Sequence, residues 1–358
     1  MNLDDVRSII ESSDYDFLRT NPHLNALAFL TLGGSHAYGT NIESSDVDIR
    51  GCALNSESDI IGMSRFETFV DRATDTTIYA FNKLITLFYN CNPNVIEMLG
   101  CKPEHYFYLS EVGQAMIDNR KMFLSKRAVH TFGGYAFSQL RRLENAIARD
   151  KLSQDRKEVH IKNSLDKVVR NFNNEGRTFP VAYSLSLGQA VHDDLESETF
   201  ITMDLQQYPV RDLKALVNDI NNVIRDYETD LHGRNKKKDD LHLNKHAMHL
   251  IRLYLMCIDI LEQEEIVTYR EKDHDLLMSI RNGAFQHEDG TFDQSFFDLV
   301  HTLSNRMEYA KQNTSLPQSP NMNRIEEFVM DVNRGVINAS YGTNRNANWR
   351  WHHSVQVN

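Results

Sequence analysis

Asp46 and Asp48 stand two positions apart in the run Asp46-Val47-Asp48-Ile49, and residues 36–45 separate them from a Gly33-Gly34-Ser35 step. In extended backbone, residues i and i+2 share a side and lie about 6.5–7 Å apart along it. Both carboxylates then project together while Val47 and Ile49 enter a core. Two neighbouring carboxylates repel unless a cation sits between them. Hard oxygen ligands suit Mg²⁺ or Mn²⁺, which keep waters and take further oxygens from substrate phosphates. A pair of such ions about 3.5–4 Å apart steadies both the attacking and the leaving oxygen of an in-line displacement.

The glycines complete that chemistry. Leu27 to Leu32 is apolar and reads as a buried strand, and Gly33-Gly34-Ser35 then lets the chain turn tightly into a short helix. Backbone N–H groups at such a bend cradle an anion without a basic side chain. The Ser35 hydroxyl is placed to reach a β- or γ-phosphate oxygen. No Gly-Lys-Ser/Thr follows, so this is not a Walker A loop. The bland alternative is a Gly-Gly turn followed by a surface Asp-x-Asp strand.

An apolar residue, Gly, Gly or Ser, a gap of nine to thirteen, then Asp-apolar-Asp/Glu-apolar resembles the signature of the DNA polymerase β-type nucleotidyltransferase superfamily. The fuller text Gly34-Ser-His-Ala-Tyr-Gly39 and Ser45-Asp-Val-Asp-Ile-Arg-Gly51 is similar to its RNA repair pathway branch, the RlaP-like predicted nucleotidyltransferases. Asp75-Thr-Thr-Ile-Tyr79, Asn92-Pro-Asn-Val-Ile-Glu-Met-Leu99, Gly134-Tyr-Ala-Phe-Ser-Gln139, Lys245-His-Ala-Met-His249-Leu-Ile-Arg252 and Ile280-Arg-Asn-Gly283 extend the likeness. It covers roughly residues 25–145 and 244–310.

The resemblance implies an α+β fold: an N-terminal domain with a mixed sheet flanked by helices, and a mainly helical C-terminal domain. It also implies an NTP substrate, Mg²⁺ or Mn²⁺, and an acceptor hydroxyl, foremost an RNA 3′ end. A protein or small-molecule hydroxyl is the second acceptor class, and a non-catalytic nucleotide-binding regulator the third reading. The superfamily uses a third carboxylate from a neighbouring strand. Asp71, Asp75 and Glu97 are the candidates, and Asp75 leads because Asp75, Thr77 and Tyr79 alternate with Thr76 and Ile78. Its competing role is a turn or cap aspartate, and Glu97, in an apolar run beside Asn-Pro, reads better as a buried polar support.

At 358 residues the chain has room for two domains, or one with a large appendage. A hydrophobic share of 41% supports a sizeable core. No apolar run reaches the length of a membrane span, and the Met1-Asn-Leu-Asp-Asp-Val-Arg7 start lacks a signal-peptide pattern. Cys52, Cys91, Cys101 and Cys257 form no Cys-x-x-Cys pair, so they read as reduced core thiols of a cytoplasmic protein. A net charge of −11 argues against strong nonspecific nucleic-acid affinity, though not against a local basic groove. Oligomeric state is not legible.

Residues 1–24 read as a helical lead-in, 1–110 as the catalytic domain, and 111–330 as a helical domain with an elaboration at 146–243. Within it, 111–149 reads as two helices split near Thr131-Phe-Gly-Gly134. Phe200-Ile-Thr-Met203 reads as one short strand, and Val210 to Leu231 as an amphipathic helix. Further helices are expected at about 243–264, 273–281 and 292–312.

Lys245, His249 and Arg252 fall at i, i+4 and i+7, one helix face, a candidate wall for triphosphate or RNA backbone. The alternative is a stripe in which Arg252 pairs with an acid. Tyr135, Ser138 and Gln139 are candidates to hydrogen-bond a base or ribose, or are helix packing and caps. Arg50 either reaches phosphate or holds Asp48 in a salt bridge. Residues 331–358 read as an aromatic and basic tail, in which Arg345, Trp349, Arg350 and Trp351 suit stacking on single-stranded bases, the more common alternative being a tail docked on the body or one that orders only with a partner.

Overall fold

The computed structural model describes residues 3–151, 159–160, 163–165, 182–189, 199–206, 210–231 and 240–342. The helical lead-in comprises α1 (Leu3–Glu11) and α2 (Phe17–Thr20). β1 (Leu27–Leu32) follows, with all six residues buried. A strand apolar on both faces belongs in the interior of a sheet, and β1 lies between β2 and β5. The short α3 (Gly34–Tyr38) opens at the glycine bend.

Next come β2 (Ile49–Ala53), α4 (Glu57–Ile60), β3 (Thr68–Asp71) and β4 (Thr76–Ala80). After them lie α5 (Phe81–Tyr89), α6 (Pro93–Ile96) and β5 (Tyr106–Leu109). The strands order as β3-β4-β2-β1-β5. β2 runs antiparallel to β1 and parallel to β4, and β3 and β5 pair antiparallel at the edges. The sheet is therefore mixed, as expected. Its topology brings the C-terminal end of β1 and the N-terminal ends of β2 and β4 to one rim.

Helices dominate the remainder: α7 (Glu111–Asp118), α8 (Arg127–Lys151), α9 (Val210–Leu231), α10 (Asp240–Gln263), α11 (His274–Arg281), α12 (Gln294–Asn313) and α13 (Met322–Gly342). Strands β6 (Ala182–Gln189) and β7 (Thr199–Gln206) pair as an antiparallel ribbon.

Three sequence expectations need correction. Helix α8 runs unbroken through Gly133 and Gly134. A Cβ on Gly133 would lie 3.1 Å from Met307 Cε, so this glycine serves close side-chain approach to the helix. The ribbon has a second strand, β6, in which Tyr183, Leu185 and Leu187 alternate with Ser184, Ser186 and Gly188, a strand pattern that the single Phe200–Met203 expectation passed over. Residues 331–342 continue α13 rather than starting a tail; the aromatic and basic residues beyond 342 lie outside the described residues.

Contacts divide the chain into two compact units: residues 1–139, 247–284 and 294–358, and residues 140–246 with 285–293. This partition follows packing rather than chain order, because α8 and α10 each supply residues to both. The first unit holds the five-stranded sheet, and its core includes Val6, Ile10, Tyr15, Leu18, Leu30, Ile49 and Ile78. The second holds the β6–β7 ribbon and α9, whose Leu216 and Val223 are buried. Among the described residues no helix is long and apolar enough to cross a membrane. All four cysteines are free, and burial pushes the Cys91 and Cys101 thiols up to about 12.

Candidate active site

β1 is followed directly by Gly33, whose N–H donates to the Asp48 carbonyl at 2.8 Å. The ladder between β1 and β2 thus extends one residue past the strand, which begins at Ile49 rather than at Asp46. Asp46 and Asp48 sit in this extended lead-in. The alternation holds there: Val47 packs against the core and Ile49 is fully buried, while Asp46 is exposed and Asp48 half-buried.

Gly34 has φ +56°, the left-handed region in which a Cβ is strained. A Cβ there would fall inside contact of Asp48 Oδ2 and 2.7 Å from its Cγ. A Cβ on Gly33 would lie 2.7 Å from Arg50 Cγ. Each glycine therefore clears space for a particular charged side chain: Gly34 for the Asp48 carboxylate, Gly33 for the Arg50 stem. Ser35, half-buried, begins the following turn, and its carbonyl accepts from Thr40 N–H at 2.9 Å.

Parallel pairing of Ile49 with Thr76 places Asp48 beside Asp75 across the rim. Asp75 closes the β3–β4 turn with φ +45°, a conformation that aspartate tolerates better than most residues. Asp71 does not join it. Its Oδ2 accepts from the N–H and hydroxyl of Thr74, at 3.0 and 2.8 Å, which folds the turn. Tyr15 from the lead-in donates to the Thr74 carbonyl at 3.4 Å.

Arg50 links the two acids. It donates from Nη2 to Asp48 Oδ1 at 2.9 Å and from Nη1 to the Asp75 carbonyl at 2.6 Å, with Asp75 Oδ1 at 3.5 Å. Both alternatives read for Arg50 began from its place directly after the acid pair; the structure displays the salt bridge.

Behind the bend lies a buried charge cluster. Tyr38, the last residue of α3, donates to Glu97 Oε1 at 2.7 Å, and Arg252 from α10 donates to Glu97 Oε2 at 3.1 Å. The Arg252 guanidinium also lies 3.6 Å from the Tyr38 ring centroid and 3.0 Å from His249 Nδ1. Burial holds the Tyr38 phenol well above its usual pKa, with Arg252 pulling the other way. Arg252, at 1% exposure, corrects the expectation of a cationic wall. A guanidinium taken out of water needs a carboxylate, and Glu97 supplies it from inside the protein.

The other candidates separate. His249 is half-buried with its ring edge-on to Tyr135, 5.6 Å between centroids. Ser138 is exposed and donates to its own helix at Gly134 O, 3.0 Å, as a helix-facing serine does. Gln139 is buried on α8, and its Oε1 has no partner. Lys245 is exposed, on the stretch of α10 that groups with the second unit. Helical spacing put Lys245, His249 and Arg252 in line, but burial differs at each.

Asp46, Asp48 and Asp75 offer only carboxylate oxygens, the donor chemistry of a hard divalent cation. Among the described residues, however, no three His, Cys, Asp or Glu side chains are gathered for an ion. The Arg50 guanidinium holds Asp48 and Asp75 instead. The donor set fits in kind, and its internal counter-ion is an arginine. An open surface hollow of about 650 Å³, lined by His23, Arg65, Phe66 and Glu67, lies toward Thr68, the end of β3 away from the acids.

Residues 10–171 match the sequence profile described as RlaP, the RNA repair pathway DNA polymerase beta family. The RlaP match takes in the whole five-stranded sheet and the rim with Gly34, Ser35, Asp46, Asp48, Arg50 and Asp75, as well as Tyr135, Ser138 and Gln139. Lys245, His249, Arg252 and Arg281 fall beyond it. No curated protein matches the chain. Arg281 lies within the Ile280-Arg-Asn-Gly283 string, but nothing in that string assigned it a place at the site, because an isolated arginine in a helix carries no spacing signal.

Proposed function

We propose that the chain is a metal-dependent nucleotidyltransferase, which moves a nucleoside monophosphate from an NTP to an acceptor hydroxyl and releases pyrophosphate. The observation that carries this reading is the meeting of the Gly34 bend, Asp48 and Asp75 at a single rim of the sheet. Asp46, Asp48 and Asp75 would hold Mg²⁺ or Mn²⁺. Bound there, the ion would neutralise phosphate charge and lower the pKa of the attacking hydroxyl.

The chain's own groups do the rest. Backbone N–H groups at Gly34 and Ser35 seat the β- and γ-phosphates. Asp75, at 59% the more exposed of the two carboxylates tied to Arg50, takes the proton of the acceptor hydroxyl. The acceptor oxygen forms a bond to the α-phosphorus as the bond to the bridging oxygen breaks, and pyrophosphate carries off the electron pair. Positioning and charge neutralisation supply most of the acceleration.

The RNA repair family favours an RNA 3′ hydroxyl as acceptor. A protein or small-molecule hydroxyl is the second reading, and the net charge of −11 favours it, since bulk RNA affinity grows with positive charge. Incubation with labelled NTPs, Mg²⁺ or Mn²⁺, and panels of RNAs and proteins separates the two by which species takes label. Asp46→Asn with Asp48→Asn is expected to abolish label transfer while circular dichroism stays that of the parent. Undiminished transfer by the double variant would refute the proposal.

Arg50→Met examines the donor set without turnover. With the guanidinium gone, Asp48 and Asp75 face each other uncompensated. Added Mn²⁺ is then expected to raise the melting temperature of the variant more than that of the parent. Equal shifts would show that these carboxylates take no ion.

A further inference from the structure

Among the described residues three arginines of the first unit are buried: Arg252, Arg270 and Arg281, at 1%, 4% and 7% exposure. Two have carboxylate partners. Arg252 pairs with Glu97, and Arg270 pairs with Asp259 and Asp273. Arg281, the last residue of α11, has none among the described residues. Its Nη1 donates to the Thr40 carbonyl at 2.7 Å and its Nη2 lies 3.3 Å from the Ser45 hydroxyl. Both acceptors are neutral. They satisfy hydrogen bonds and leave the charge unbalanced.

An uncompensated cation inside a protein is strongly unfavourable, and the usual solution is an acid beside it. Here the cost is left standing at a telling place. Thr40 and Ser45 begin and end the segment that joins the α3 turn to Asp46. That segment is folded around the same hydroxyl, since Ile42 N–H donates to Ser45 Oγ at 2.9 Å. Burial also lowers the pKa of the guanidinium.

The guanidinium is not sealed. Arg252 Nε is a buried donor without a partner, whereas no atom of Arg281 is in that condition. Among the described residues Arg281 Nε has no acceptor, and since it is not among the buried unpartnered atoms, that edge of the fork is accessible. A fork with two donors fixed on the active-site segment and one open edge is shaped to accept oxyanions.

Resting on the nucleotidyltransferase reading above, we infer that Arg281 is a binding residue for the anionic phosphate oxygens of the nucleotide. The incoming triphosphate supplies the counter-charge that the fold withholds. Two consequences follow from the same contacts. The C-terminal helices contribute directly to substrate binding, and an unliganded protein carries an electrostatic cost that triphosphate relieves.

The test uses the full chain, with tripolyphosphate, ATP and a single-stranded RNA as separate probes in calorimetric titrations. Arg281→Gln keeps a donor for Thr40 but removes the charge. It is expected to weaken tripolyphosphate and ATP about tenfold or more, the usual scale for a lost charge-assisted bond. Arg281→Lys, which keeps the charge and loses the fork, should fall between. Parental affinity of Arg281→Gln for tripolyphosphate, or weakening confined to the RNA, would overturn the inference.

Should Arg281→Gln fail to fold, the parent protein gives the answer. Tripolyphosphate is expected to slow phenylglyoxal modification at Arg281 several-fold, read by peptide mass mapping, and an unchanged rate would overturn the assignment. This outcome is independent of the transfer assay. A double Asp46→Asn, Asp48→Asn variant that still transfers label would sink the enzymatic reading and leave the anion result intact.

Discussion

Gly34→Ala is expected to cost at least about a hundredfold in label transfer, because a displacement of about 1 Å at a reacting group has that scale of effect. Two independent causes act at the one position. The backbone sits at φ +56°, where a Cβ adds roughly 1–2 kcal/mol of strain. The new methyl would also lie 2.7 Å from Asp48 Cγ, inside van der Waals contact. Either the bend opens or the carboxylate swings away, and both separate the phosphate seat from the acid. Asp48 cannot move alone, since its Oδ1 is tied to Arg50, which is tied to Asp75. Steady-state rates of Gly34→Ala with a folded circular dichroism spectrum check this. Parental rates would show that Asp48 does not have to stand over the bend.

Glu97→Ala is expected to destabilise the protein by about 3–5 kcal/mol, the range for removing one member of a buried ion pair. Its loss strands the Arg252 cation at 1% exposure and leaves the Tyr38 hydroxyl without its acceptor. The Arg252 Nε already lacks a partner, so the site has no spare acceptor to offer. Glu97→Gln keeps an acceptor for Tyr38 and is expected to cost less than the alanine variant. Urea denaturation of the two variants measures both. Stability of Glu97→Ala within about 1 kcal/mol of the parent would place the counter-charge of Arg252 elsewhere.

Local chemistry made the rim legible in the sequence. A fully apolar six-residue strand, two glycines and alternating acids each have one dominant structural meaning, and β1, α3 and the Asp46–Ile49 lead-in follow that order. Asp75 was reachable through the Thr76-Thr-Ile-Tyr alternation that becomes β4. Pairs distant in sequence were not reachable. Nothing about Arg252 in its own helix reveals that Glu97, 155 residues earlier, neutralises it. Helical periodicity fixes which way a side chain points on its own axis but not what lies there, so Lys245, His249 and Arg252 read alike and end exposed, half-buried and buried. The Gly133-Gly134 step does not end its helix for the related reason that a glycine in a helix, here Gly133 beside Met307, serves packing as well as termination.

The interleaving of early and late sequence within the first unit bears on any effort to trim the protein. A fragment ending near residue 110 would keep the sheet, the glycine bend and all three candidate acids, and would look complete on a motif map. It would also carry Glu97 into an apolar interior with no cation to meet it, and would free the Thr40–Ser45 stretch from its anchor. A minimal active piece must therefore reach at least to Arg281, although the family signature itself stops at residue 171.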